Sequence, residues 1–375
     1  MKIGINASFL RKSDTGIGQV TRGFIENLIK SHPEDNEYFL YLENDIDLDL
    51  PKNFRKRISL PKIYGRDDLI RKIWWEKLLL PRMAARDKCE LFISLYQSPT
   101  ILKGIRHKML VHDMVWKIFP EYLDNWRKKF YASLIWRGVK KADEIFAVSE
   151  WTKRDIHKYL KIKAQSIKVS YPSISAEFAG EKDPQSDNKI LDKYDIYGRY
   201  VFYVGGFDFR KNIPDLLAAF REMLSRYQFG DIKLVLAGDD KSKFSPLFSD
   251  LKKEIKTADL KDKVILAGFV QQKDLPALYR NCDLFVFPSI YEGFGLPVLE
   301  AMTSGAPAAV SKSSSLPEVG GNAVLYFNSH DTEEMARVMA KVLKNGKLRR
   351  SLSEKAEARS KRFSWDAFNK NIIGC

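Results

Sequence analysis

A chain of 375 residues, 45% apolar and 30% charged, holds enough apolar material for two hydrophobic cores, which excludes disorder as its main state. Three widely spaced cysteines (Cys89, Cys282, Cys375) and five scattered histidines exclude a disulfide scaffold and a Cys/His zinc site, and point to a reducing compartment. The net charge of +15 favours a polyanionic partner, whether nucleic acid, anionic lipid or a phosphorylated substrate. No apolar run reaches the ~18–20 residues of a membrane span, and Met1–Ala7 enters a strand directly without a signal-peptide layout, so the expected location is cytoplasmic.

Short β-rich runs alternate with longer amphipathic stretches. In the first half the expected strands are Ile3–Phe9, Tyr38–Leu42, Leu91–Leu95, Lys108–His112, Glu144–Ser149 and Ile167–Tyr171. In the second half they are Tyr200–Gly205, Lys233–Ala237, Lys263–Ala267, Leu284–Pro288, Ala308–Ser311 and Val324–Phe327. Helical periodicity is clearest over Gly18–Lys30, Asp67–Arg86, Trp126–Lys141, Thr152–Leu160, Ile213–Tyr227 and Thr332–Lys344. Strand–helix alternation implies parallel sheets with helices on both faces. The polar, aperiodic stretch Ala179–Asp192 marks a boundary between two doubly wound α/β domains. Such sheets bind ligands beyond the carboxyl ends of their strands, so two of them face a ligand cleft.

The most informative residues follow strand Leu284–Pro288: Tyr291-Glu292-Gly293-Phe294-Gly295-Leu296-Pro297-Val298-Leu299-Glu300-Ala301-Met302. Gly293 and Gly295 let the backbone approach a ligand, and Pro297 fits a first helical turn. The N–H groups around Phe294, Gly295 and Leu296 then suit an anion, and Glu292 and Glu300 suit sugar or ribose hydroxyls. On glycine and proline alone, a tight turn with two solvated glutamates is an equal reading. Arg210-Lys211, between a strand and a helix, supplies two cations that can stabilise a departing phosphate. Asp45-Ile46-Asp47-Leu48-Asp49 contains Asp-x-Asp, a pattern seen in metal sites, but it reads better as a solvated acidic loop.

Glu-x7-Glu within EGFGLPVLEAM resembles the signature of the retaining glycosyltransferases of family four (glycosyl transferases group 1). Val204–Asn212, Leu234–Gly238, Val264–Phe269, Leu278–Cys282, Asp283–Ser289 and Ser315–Phe327 stand in that family's order. The resemblance implies the GT-B fold: two Rossmann-like domains facing a cleft. Residues 1–185 would bind the acceptor and residues 186–362 a nucleotide-sugar donor. Residues 363–375 would be a helix returning to the first domain. It implies transfer without metal or other cofactor, with the leaving phosphate taking the acceptor's proton. Lys211 matches the family's diphosphate-binding Lys. The family's Arg falls on Gly206, so Arg210 is expected to fill that role. Gly16 and Gly18, after the first strand, resemble the loop facing the donor phosphates. His112 resembles the His near the reacting sugar, with Asp113 beside it orienting the backbone. Ser149 and Glu318 match positions near the cleft and the donor.

The form Gly-Gly-Phe-Asp-x-Arg-Lys-Asn looks most like mannosyltransferases of bacterial surface-polysaccharide assembly, which makes GDP-mannose the first expected donor and a saccharide or lipid-linked saccharide the acceptor. A nucleotide-sugar 2-epimerase and a non-enzymatic sugar- or nucleic-acid-binding protein are the alternatives. No nucleic-acid motif accompanies the charge, so no nucleic-acid partner is expected. The basic, aromatic segment Lys52–Lys88, with Arg55, Lys56, Arg57, Lys62, Arg66, Arg71, Lys72, Trp74, Trp75, Lys77, Arg82 and Arg86, together with Trp126–Phe130, reads two ways. It is either a face that sits on anionic lipid at the inner side of the plasma membrane, or a core stripe (Ile70, Ile73, Trp74, Leu78, Met83) with a solvated basic side.

Overall fold

The computed structural model describes residues 1–31, 35–58, 69–181, 183–239, 247–248 and 250–374. Its strands are short apolar runs such as Leu-Phe-Ile-Ser, Leu-Phe-Val-Phe and Ala-Ala-Val-Ser, buried throughout, as parallel sheets covered on both faces require. The first sheet contains β1 (Lys2–Asn6), β2 (Glu37–Leu42), β3 (Phe54–Ile58), β4 (Leu91–Ser94), β5 (Arg106–Val111), β6 (Glu144–Ala147) and β7 (Ile167–Val169). They pair in the order β3-β2-β1-β4-β5-β6-β7, all parallel. The second sheet contains β8 (Arg199–Val204), β9 (Ile232–Ala237), β10 (Val264–Gly268), β11 (Leu284–Phe287), β12 (Ala308–Ser311) and β13 (Leu325–Phe327). It runs β10-β9-β8-β11-β12-β13, again all parallel. Each is a Rossmann order, which reverses direction once: between β1 and β4, and between β8 and β11.

Several strands stop short of the expected carboxyl ends, at Asn6 and not Phe9, Val111 and not His112, Ala147 and not Ser149. No expected strand covers β3, Phe-Arg-Lys-Arg-Ile. It is an edge strand whose cations find partners beside the sheet: Arg55 bonds Glu37 at 2.9 Å and Arg57 bonds Asp87 at 3.0 Å. The polar stretch expected to mark the domain boundary contains a helix, Pro184–Lys193. Asp183 caps it, and buried Asp187 accepts from Arg280 at 2.7 Å and Asn281 at 2.8 Å.

The chain forms two compact units, Met1–Ser173 with Phe363–Cys375, and Ile174–Arg362. The division therefore precedes the expected boundary at 185/186. The helix Trp365–Ile373 packs in the first unit against the helix Gly16–Ser31. Asn369 Nδ2 donates to the Phe24 carbonyl at 2.9 Å, and Asn27 Nδ2 to Asp366 at 2.8 Å. Lys108 Nζ donates to the carbonyls of Ile372 and Ile373 at 2.9 and 3.0 Å, satisfying acceptors that a helix end leaves open. Among the described residues no helix is long and apolar enough to cross a membrane.

Close contact between these helices depends on Gly23, where an added Cβ would lie 2.1 Å from Trp365 Cζ2. Alanine inside a helix ordinarily gains about 1 kcal/mol over glycine, whereas overpacking costs about 1–3 kcal/mol. The Gly23→Ala variant is expected to unfold at lower urea than wild type, and the same change in a Trp365→Ala background at higher urea than its parent. Equal shifts in both backgrounds would contradict this packing.

Candidate active site

The reversal between β8 and β11 gathers the second unit's charged residues. After β8 the chain passes through Gly205 and Gly206 into a short turn, Phe209–Lys211, that ends at Asn212 in the left-handed region (φ 56°). Tyr203 OH donates to the Gly206 carbonyl at 2.6 Å, holding the loop to the strand below. After β11 come Pro288, Ser289 and the turn to Gly295, which caps the helix Leu296–Thr303 at φ 112°. A Cβ on Gly295 would sit 2.7 Å from Leu316 Cδ2, so both backbone angle and space select glycine.

Lys211 Nζ, from the β8 side, forms an ion pair with Glu292 Oε1, from the β11 side, and lies 5.4 Å from the Phe287 ring centre. Both side chains are mostly buried. The Ile290 N–H donates to the Arg210 carbonyl at 2.8 Å, joining the two loops. Serines complete the frame. Ser289 Oγ donates to Glu292 Oε1 at 2.6 Å, and the Glu292 N–H donates to Ser314 Oγ at 2.8 Å. Ser315 Oγ reaches the carbonyls of Glu292 and Phe294 at 2.9 and 2.7 Å, and Ser311 Oγ bonds the Ser289 carbonyl. These serines carry no motif of their own. Their signal is position, since each lies at or just after the end of a strand or opens a helix.

Arg210 turns back on its own loop: Nε pairs with Asp208 at 3.0 Å and Nη1 approaches the Tyr291 carbonyl at 3.5 Å. Glu300 is buried in the helix. Its Oε2 accepts from Tyr279 OH at 2.9 Å and its Oε1 from Gln272 Nε2 at 3.2 Å. Burial and the Glu300 charge both push the Tyr279 hydroxyl's pKa up, so it stays a donor. Glu318 lies in the first turn of Leu316–Gly320, and its carbonyl accepts from Arg359 at 2.6 Å.

The remaining candidates lie in the first unit. His112 directly follows β5 and is buried. Its Nε2 lies 2.8 Å from the Leu95 carbonyl. A carbonyl only accepts, so Nε2 carries the proton, and burial lowers the ring's pKa and keeps it neutral. Asp113 accepts from the Val115 N–H at 3.0 Å, a local backbone role. Ser149 is fully buried as the N-cap of Glu150–Leu160, accepting from the Thr152 N–H at 3.0 Å. Gly16 opens the helix after the β1 loop. At Gly18 a Cβ would lie 1.9 Å from the Lys12 carbonyl oxygen, so close backbone approach alone accounts for that glycine. Asp45, of the Asp-x-Asp stretch, is exposed and pairs with Lys56 at 3.4 Å.

The basic segment does not form one solvent face. Arg71 is buried against Glu43 at 2.6 Å, Trp75 is fully buried, and Lys72 lies among aromatic rings. Nor is the apolar stripe a core, since Ile70 is 70% exposed and Trp74 and Leu78 are also exposed, while Ile73 and Met83 do pack inward. Two more exposed rings, Trp126 and Phe130, stand on the helix Trp126–Lys141, which packs against Leu69–Trp74. Lys62, Arg66 and Asp67 lie outside the described residues.

Residues 187–359 match the model described as Glycosyl transferases group 1, and residues 39–178 match Glycosyltransferase Family 4. The chain belongs to this glycosyltransferase family. It is 34% identical over 247 residues to the serotype-specific mannosyltransferase WbdA of Escherichia coli, covering 64% of this chain and 29% of that enzyme's length. It is 28% identical to the O-antigen chain mannosyltransferase B of E. coli, over 77% of this chain and 76% of that one. The fold is GT-B. WaaG, a glycosyltransferase involved in lipopolysaccharide biosynthesis, aligns over 100% of both chains with a TM-score of 0.75 at 16% identity. The sucrose-phosphate synthase of Thermosynechococcus elongatus aligns with the same score and identity over 100% of this chain and 98% of its own.

A buried histidine gives the fold a pH dependence. His107 is buried, with Nε2 2.8 Å from Ser94 Oγ, and burial lowers its pKa from 6.5 to about 4, opposed by the charge of Asp143. Between those values the unfolded chain holds the proton and the folded chain does not, so stability rises with pH and is lost as pH falls through that window. A shift of this size corresponds to at most ~3 kcal/mol. The urea midpoint is expected to fall between pH 7 and pH 5, and less steeply in His107→Gln. An unchanged slope in that variant would contradict the assignment.

Proposed function

We propose that the chain moves mannose from GDP-mannose to a saccharide or lipid-linked saccharide, with retention at the anomeric carbon and without a metal, in surface-polysaccharide synthesis. The Lys211–Glu292 pair at the reversal of the second sheet carries this reading. The mannosyltransferase names of the relatives favour the sugar and favour a transferase over an epimerase or a binding protein. An Anabaena protein of this fold was solved with UDP-glucose, which is consistent with a nucleotide-sugar donor.

In this reading Lys211 exchanges part of its contact with Glu292 for the donor's diphosphate. The bond from the anomeric carbon to the phosphate oxygen breaks, and the acceptor hydroxyl adds from the same face. The departing phosphate takes that hydroxyl's proton. Negative charge grows on the diphosphate as it leaves, so a fixed ammonium and the start of helix Leu296–Thr303 stabilise the transition state more than the ground state. Arg210 contributes from beside Asp208, and Gly206 leaves room for the phosphates. Phe294, Gly295 and Leu296 line that helix start, with Glu318 nearby. Gly16, Gly18 and Ser149 shape the donor side of the first unit. Glu292, relieved of Lys211, accepts from hydroxyls of the transferred sugar. Glu300 holds the ribose. Neutral His112 offers Nδ1 as an acceptor for a sugar hydroxyl.

A lost charged hydrogen bond costs about 1.5–3 kcal/mol, or roughly 10- to 150-fold. Lys211→Met is expected to lower kcat and kcat/KM together by about that factor, and Glu300→Ala mainly to raise the donor KM. Mannose transfer is expected to survive EDTA. Wild-type kinetics in Lys211→Met, or activity lost to EDTA and restored by Mn²⁺, would overturn the reading.

A lipid-linked acceptor would bring the enzyme to an anionic membrane surface. Exposed Ile70, Trp74, Leu78, Trp126 and Phe130, with exposed Lys77, Arg127 and Lys129, suit headgroup depth, each cation contributing about 1 kcal/mol. Sedimentation with anionic vesicles is expected at low salt and is expected to weaken when these three cations are changed to Glu. Protein left in the supernatant would remove the membrane from the proposal.

A further inference from the structure

The first sheet also reverses once, between β1 and β4, and ligand crevices open beyond the carboxyl ends at such a point. Ser8 and Phe9 follow β1 there, and Tyr96 follows β4. Lys72 and Glu76 come in from the helix Leu69–Trp74 and the π-helical turn Trp75–Leu79, a type of turn frequent at functional sites. Glu76 is fully buried, with Oε1 accepting from Tyr96 OH at 2.8 Å and Oε2 from Tyr131 OH at 2.6 Å. Tyr96 OH is fixed in turn by Asn6 Nδ2 and Ser8 Oγ, both at 3.0 Å.

This frame holds the Lys72 ammonium among three rings, 5.1 Å from the centre of Phe9, 5.3 Å from Tyr131 and 5.6 Å from Tyr96. Ring faces attract a cation and fix its position, but they leave its three N–H donors to find acceptors elsewhere. Among the described residues none of those donors has a hydrogen-bond or ion-pair acceptor. The nearby carboxylates are committed. Glu76 is bonded through both oxygens, and Glu43 pairs with Arg71 at 2.6 Å and Arg11 at 3.4 Å. Among the described residues, three cations thus meet two carboxylates; Lys72 opposes the charge of Glu76 without a hydrogen bond to it, and its side chain is only half-buried.

We propose that Lys72, held by Phe9, Tyr96 and Tyr131, is the anion-binding group of an acceptor subsite in the first unit, and that it takes a phosphate ester of the acceptor. This rests on the reading that the first unit binds the acceptor. The phosphate can belong to a free sugar phosphate or to a lipid-linked sugar, and the shared chemistry is a phosphate oxygen against a preorganised ammonium.

Calorimetric titration of the full chain saturated with GDP tests this, because GDP occupies the diphosphate site of the second unit. The probes are glucose 1-phosphate, farnesyl diphosphate and, as the neutral control, methyl α-glucoside. Both phosphates are expected to bind more tightly than the glucoside. Lys72→Met, which keeps the chain length against the rings, is expected to weaken both about tenfold or more, with the glucoside unchanged. Lys72→Arg should recover part of the loss. Where the binding lost in Lys72→Met is larger for farnesyl diphosphate the phosphate belongs to a lipid-linked acceptor, and where it is larger for glucose 1-phosphate to a free one; either supports the site. Phosphate binding that is unchanged in Lys72→Met, or no tighter than glucoside binding in wild type, overturns it. If GDP itself fails to bind, the donor reading fails, and the Lys72 comparison is made without it.

Discussion

A parallel sheet whose order reverses once must leave two loops side by side at the reversal. In the second unit those loops are Gly205–Asn212 and Pro288–Gly295, and they meet through the ion pair of Lys211 with Glu292. The glycine at 295, the serine hydroxyls around Glu292 and the backbone bond from Ile290 to Arg210 all maintain that meeting. A mostly buried pair that is broken by removing one member leaves an uncompensated charge, which costs several kcal/mol. In the proposed function, binding a diphosphate would be different, because it would replace one anion beside Lys211 with another. The pair holds the ammonium in place, where the proposed function would have it meet a more highly charged ligand.

Carboxylates elsewhere show how the fold handles charge. Glu300 and Glu76 are both buried, and each is satisfied by tyrosine hydroxyls, Tyr279 for the first, Tyr96 and Tyr131 for the second. Burial pushes the Glu76 carboxyl up, with the Lys72 charge working against it. Hydroxyl donors of this kind hold a carboxylate without adding charge. The surplus that gives the chain its +15 lies largely on exposed helices.

Much of this was legible in the residues, because parallel strands are continuous apolar runs, and twelve of the thirteen strands among the described residues overlap an expected run. Leu284–Phe287 followed by Glu292 and Gly295 placed the second unit's centre, since strand, glycine turn and proline-started helix are local features. The edge strand Phe54–Ile58 was not legible, because an edge needs no apolar alternation when its cations pair sideways. Pro184–Lys193 was hidden because its packing relies on Asp187, a buried carboxylate whose partners Arg280 and Asn281 lie about ninety residues on. The segment around Trp74 and Trp75 misled for a related reason. Charge and aromatic content do not reveal orientation, and here Arg71 and Trp75 turn inward while Ile70 and Trp74 turn outward. Glu300 belongs to a motif, yet only the fold reveals that Tyr279 and Gln272 already engage both its oxygens.

The most direct test is a crystal structure of the chain with GDP bound. The account predicts the β-phosphate within hydrogen-bonding distance of Lys211 Nζ and of the backbone at the start of helix Leu296–Thr303, with the ribose hydroxyls against Glu300. GDP bound elsewhere, or bound with Lys211 still paired to Glu292 and out of reach of the phosphates, would contradict it.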